Sequence, residues 1–214
     1  MRAYRDHADA EIVRDAAITL PLAGAALSEG AAADNRDGVA CARMTGMNAY
    51  ADFSFSVETE GLYAIGVRYQ SIPSSGQDID LSVTVDGQVP YDELSPTAVP
   101  LVWQDSLTDG KFRRDEDDNE LRPTQTEVAK WTEAWLRDTT GQYAEPYLVY
   151  FTAGQHTLRL TIGEQPVYIE KLTLGYPAAA GTYKEYKSQF DGQPDEAQYF
   201  EVEAEHSTEK SSSM

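Results

Sequence analysis

Five aromatic residues, Trp103, Trp131, Trp135, Tyr143 and Tyr147, fall within one stretch of this 214-residue chain, interleaved with Asn119, Arg122, Gln125 and Glu145. An aromatic ring with one face in water stacks on the apolar C–H face of a sugar. Amide, guanidinium and carboxylate groups then fix the hydroxyls, since a pocket needs a few placed polar groups within an apolar wall. These residues are therefore candidate ligand-binding groups for a carbohydrate. The spacing of Val128, Trp131 and Trp135, at i, i+3 and i+7, together with Thr124 and Glu127 as a capping box, predicts a helical insertion near residues 123–138. On the alternative reading, Trp131 and Trp135 only pack that helix against the rest of the protein.

A second constellation is the run Asp115-Glu116-Asp117-Asp118-Asn119-Glu120. Asp115, Asp117 and Asn119 alternate like the opening of a calcium loop, whose hard cation requires oxygen ligands. The sixth position is Glu120 and the twelfth is Thr126, where an EF-hand needs Gly and Glu, so the run is not an EF-hand. As a solvated charge run it needs no ion. Catalytic signatures are missing: there is no Gly-x-Ser-x-Gly elbow, no His-Glu-x-x-His and no phosphate loop, and His7, His156 and His206 are widely spread. A glycosidase needs only two carboxylates, so counting acids does not settle the matter. The chain reads as non-catalytic.

The sequence holds 17 Lys+Arg against 36 Asp+Glu, a formal charge of −19. Nucleic-acid affinity comes largely from cations that neutralise phosphates, so nucleic acid is excluded as a partner. An acidic surface suits uncharged sugars, divalent cations or solubility. No apolar run reaches the ~18 residues of a membrane span, so direct membrane insertion is not expected. Cys41 is the single cysteine, which rules out an internal disulfide, and its small neighbours mark it as a packed thiol. Residues 1–6 carry no apolar signal core. We read the chain as a piece of a larger protein, so this does not set its compartment.

Strands must position these groups. In Ala51–Glu58 and again in Tyr63–Tyr69 the odd positions are apolar, and the two runs suggest a hairpin. Ile79, Leu81, Val83 and Val85 alternate before Asp86-Gly87, a tight-turn dipeptide. Leu158, Leu160 and Ile162 repeat the pattern. Inward parity then switches between Ile169 and Leu172, predicting a β-bulge near Glu170-Lys171. Shorter apolar runs at 18–20, 39–44, 99–103 and 147–151 bring the count to eight or nine strands. The fold class is an all-β antiparallel sandwich. Residues 1–176 form its module and 177–198 a linker, while 199–214 hold one strand that either opens a following module or docks back.

Phe53–Val57, Gly61–Tyr69, Val83–Gly87 and Phe151–Leu160 together resemble carbohydrate-binding modules of families six and thirty-five. That resemblance implies a galactose-binding-like jelly roll and a structural calcium ion, with N-terminal acids such as Glu11 as a further candidate ligand. Asn119–Glu127, Trp131, Asp138 and Gly141–Tyr147 resemble the N-terminal region of large solute-binding lipoproteins of carbohydrate ABC transporters. This second likeness implies a cell-surface, extracellular location, a carbohydrate ligand, and partners in the remaining domains of a larger protein. The leading expectation is glycan binding, and the alternative is a structural or docking module.

Overall fold

In the computed structural model the described residues are 7–178 apart from 75 and 108–109, together with 181, 183 and 188. The strand expected at 199–205 and most of the 177–198 linker lie outside them. The chain folds as an antiparallel β-sandwich of the jelly-roll kind. One sheet has five strands, in the order β2 (Ala26–Leu27), β5 (Tyr50–Val57), β13 (Gly154–Ile162), β7 (Ile79–Val85) and β8 (Thr97–Val99). The other has seven. Its path runs β11 (Thr132–Trp135), β6 (Gly61–Ser71), β14 (Val167–Gly175), β4 (Val39–Met44) and β3 (Ala31–Arg36). On this sheet β12 (Leu148–Phe151) also pairs with β6, and β1 (Ile18–Pro21) with β14. A separate ribbon joins β9 (Trp103–Ser106) to β10 (Thr124–Glu127).

The core is what alternation predicts. Odd residues of β5 and β6 and even residues of β13 meet between the sheets, and Tyr63, Ile65, Leu81, Val83, Leu158 and Leu160 are all within 1% of complete burial. Asp86 and Gly87 both take positive φ, at 50° and 77°, closing a two-residue turn between Val85 and Gln88. The bulge is present too, as a register shift in the β14–β6 ladder between Ile169 and Lys171.

Two expectations are corrected. β5 and β6 form no hairpin, because β5 pairs with β2 and β13 while β6 pairs with β11, β12 and β14. The connection at 58–60 instead crosses from one sheet to the other, and both strands keep odd residues inward because they face the same core from opposite sides. Nor is there a helix at 123–138. Thr124–Glu127 pairs with β9 and Thr132–Trp135 with β6, so ladder hydrogen bonds along existing strands outweigh a helical spacing that rests on three apolar positions. Thr124 and Glu127 are ladder residues, not a capping box.

At the end of the sandwich that carries the 86–87 turn, His156 bridges two connections. Its Nδ1 lies 2.7 Å from Asp86 Oδ2 and its Nε2 lies 2.9 Å from the Thr152 carbonyl. Burial works against the charged ring, but the Asp86 carboxylate and the Thr152 carbonyl outweigh it and raise the imidazole above its ordinary pKa. Asp86 also accepts from the Thr157 amide. Burial opposes its ionisation, yet these bonds and the imidazole hold the carboxyl below the usual range.

Candidate functional site

The outer face of the seven-stranded sheet carries side chains from residues that alternate with the core. Register aligns them in transverse rows, because directly paired residues share a face. One row reads Trp135, Gly66, Thr173, Thr19, and the next reads Glu133, Arg68, Lys171, Pro21. The rows are about 7 Å apart, two residues along a strand.

In the first row the middle strand contributes a glycine. A Cβ on Gly66 would stand 3.3, 3.4 and 3.4 Å from Cε3, Cδ2 and Cζ3 of Trp135. Three nearly equal distances mean that the indole presents its face to the glycine and lies flat along the sheet. Its other face is directed away from the sandwich, and the side chain is half-buried. A shallow groove beside it is lined by Gly66, Arg68, Glu133, Trp135 and Thr173.

The second row is charged and internally paired. Arg68 Nη1 is 2.5 Å from Glu170 Oε2, and its Nε is 4.0 Å from Glu133 Oε1. The same Glu133 oxygen lies 3.5 Å from Lys171 Nζ. Arg68 also sits over the Trp131 ring, 5.6 Å from its centroid. Trp131 is half-buried and precedes β11. Beyond it the face is closed over, since Gln70 is buried and donates from Nε2 to the Ala129 carbonyl and to Asp37.

The remaining candidates lie elsewhere. Trp103 begins β9, packs against the core and closes over Gly76, whose added Cβ would meet the indole at 3.2 Å. Gln125, paired across the ribbon with Asp105, donates to its carboxylate. Arg122 is exposed just before β10. Tyr143 is 64% exposed on the loop between β11 and β12. Asp138 organises that loop, accepting from the Thr140, Gln142 and Tyr143 amides and the Thr140 hydroxyl. These bonds, led by the Thr140 amide, hold its carboxyl below the usual range. Glu145 accepts from the Tyr176 hydroxyl at 2.6 Å, and Arg14 covers the Tyr176 ring. Tyr147 packs edge-on against Tyr91 beside the core. Of the nine aromatic and polar candidates, only Trp131 and Trp135 are thus brought together with Arg68.

The acidic run folds into its own turn. Asp115 Oδ1 accepts from the Asp117 and Asn119 amides at 3.0 and 2.8 Å, and the Asn119 side-chain nitrogen lies 3.1 Å from Oδ2. These bonds, that from Asn119 foremost, depress the Asp115 pKa. The run thus shapes its own turn, with Asp115 Oδ1 already accepting two of the loop's amides. Among the described residues, no three His, Cys, Asp or Glu side chains are grouped to hold a metal ion. Glu11 pairs through its carbonyl with the Leu62 amide and lines an open cleft with Arg14 and Glu60. Cys41 is buried, and burial raises its thiol pKa.

Sequence reading missed Gly66, Arg68, Glu133, Lys171 and Thr173. They lie on three strands far apart in the chain, and only the sheet order puts them side by side.

No family profile matches this sequence, and no curated protein sequence does. Similar solved structures include a family 35 carbohydrate-binding module from Cellvibrio japonicus Abf62, at 15% identity and a TM-score of 0.47 over 78% of this chain and 99% of that one. A Podospora anserina GH26-CBM35 β-(1,4)-mannanase matches at 16% and 0.45 over 78% of this chain. A Paenibacillus sp. cycloisomaltooligosaccharide glucanotransferase matches at 18% and 0.47, also over 78% of this chain. The matches span 29% of the mannanase and 19% of the glucanotransferase, less than a third of either enzyme. At these identities and TM-scores the likeness assigns neither a family nor a ligand.

Proposed function

We propose that this domain binds glycans without cleaving them, on the outer face of the seven-stranded sheet around Trp135. The observation that carries the proposal is the half-buried indole lying flat over Gly66, in a groove shared with Thr173 and Glu133 and next to the Glu133–Lys171 pair. A flat aromatic face edged by hydrogen-bonding groups suits a pyranose ring, whose C–H face is apolar and whose rim is hydroxylated. Hydrolysis calls for two carboxyl groups on opposite sides of a scissile bond. Here Glu133 and Glu170 both reach the single Arg68 guanidinium. The resemblance of Asn119–Tyr147 to transporter-associated lipoproteins supports a finer proposal, that the module belongs to a larger cell-surface solute-binding protein and holds oligosaccharide outside the cell.

Glycan arrays followed by calorimetric titration test the central reading. We expect the wild-type chain to retain at least one plant, mucin or microbial glycan, and Trp135→Ala to lose at least tenfold in affinity, about 1.4 kcal/mol. Silence of the wild type across all three classes, or equal binding by Trp135→Ala, would leave the structural or docking role as the better account.

A further inference from the structure

We infer that the Glu133–Lys171 pair reads adjacent free hydroxyls, so that the site selects glycans whose internal residues keep a vicinal diol. This rests on the glycan reading above and deepens it. In each row a side chain of β11 reaches over the middle strand towards β14: Trp135 over Gly66 to Thr173, and Glu133 over Arg68 to Lys171. The indole and the charged bridge therefore run parallel. With the two rows about 7 Å apart, a pyranose seated on the ring directs its hydroxyl edge at the bridge.

The two ends of that bridge are chemically complementary. A carboxylate only accepts hydrogen bonds and an ammonium only donates them. A hydroxyl does both, so one sugar O–H donates to Glu133 while its neighbour accepts from Lys171. Adjacent hydroxyl oxygens stand about a hydrogen-bond length apart, and the Glu133–Lys171 separation is 3.5 Å. This separation is long for an ion pair, and the Glu133 side chain is 63% exposed, so a diol displaces little by inserting there. The other basic group in the row is already committed, since Arg68 holds Glu170 at 2.5 Å. Arg68 forms the floor, and the reading groups flank it.

Linkage chemistry gives a direct test. Internal residues of a (1→3)-linked glucan have no two adjacent free hydroxyls, whereas those of (1→4)-linked mannan and (1→6)-linked dextran do. Affinity electrophoresis of the full chain in gels containing laminarin, galactomannan or dextran reads retardation directly. We expect galactomannan or dextran to retard the wild type, laminarin to do so roughly tenfold less, and periodate treatment of the effective polysaccharide to abolish the shift. Glu133→Gln and Lys171→Met are each expected to weaken binding roughly tenfold, the scale of a hydrogen bond to a charged group, with unchanged near-ultraviolet circular dichroism. Equal retardation by laminarin, or full binding by both variants, overturns the diol reading and leaves the Trp135 platform standing. No retardation by any of these polysaccharides, together with a silent array, overturns both.

Discussion

The sheet face around Trp135 and the acidic turn around Asp115 both concentrate polar side chains, yet they use them in opposite ways. In the turn, Asp115 accepts from three nitrogens of its own loop, and Arg114 closes it further by pairing with Asp118 and Glu120. Its polar groups are consumed in shaping the backbone. On the sheet, the ladder has already shaped the backbone, so the Trp135 indole and the Glu133 carboxylate keep a side turned outward. Density of charge along a sequence therefore does not by itself mark groups that stay free to meet a ligand. Side chains held by a framework they did not have to build are a better guide.

The contrast can be broken at its strongest point first. Trp135→Ala should abolish most glycan affinity, at least a tenfold loss by titration, while lowering Tm only slightly because the ring is half-buried. Gly66→Val should come next. Its added carbons would press on Cε3, Cδ2 and Cζ3 and lift the indole off the sheet, so affinity should fall several-fold in a protein whose core spectrum is unchanged.

The His156–Asp86 clamp sharpens the comparison from outside both regions. A raised histidine pKa contributes stability that is complete below the ordinary value of about 6.5 and is lost as pH climbs through the folded value. The lowered Asp86 pKa contributes stability above the ordinary carboxylate range, lost as pH falls through the folded value. Tm measured at a series of pH values should therefore decline as pH rises above about 6.5, and His156→Gln should flatten that decline without altering glycan affinity. The smallest effect belongs to the acidic turn. Asp115→Ala or addition of EDTA should leave affinity unchanged and Tm within a few degrees of the wild type. A marked loss of binding in either case would mean that the turn contributes to the site after all.

Much of the fold was legible because alternation reports which way a side chain faces. It located β5, β6, β7 and β13 and even the bulge in β14, whose inward parity changes between Ile169 and Leu172. Alternation does not say which strand is the neighbour, and so the supposed pairing of β5 with β6 failed. The same gap hid the candidate site. Trp135 was recognisable by type, but Arg68, Glu133 and Lys171 become a row only once β11, β6 and β14 are known to lie side by side. The apparent helix had a related cause: Trp131, Glu133 and Trp135 also alternate, and a segment that short lets both periods fit.

The bulge in β14 has one more consequence. Glu170 sits where the register shifts, so it occupies no rung of the β14–β6 ladder and yet reaches Arg68. Ile169 and Leu172 both remain inside, while Tyr168, Lys171 and Thr173 alternate with the core residues around them. Lengthening a strand by a single residue has thus supplied an extra acid without disturbing the interior. Spare chain at such a hiccup is raw material from which a sandwich can acquire chemistry on its exterior while its inside stays as it was.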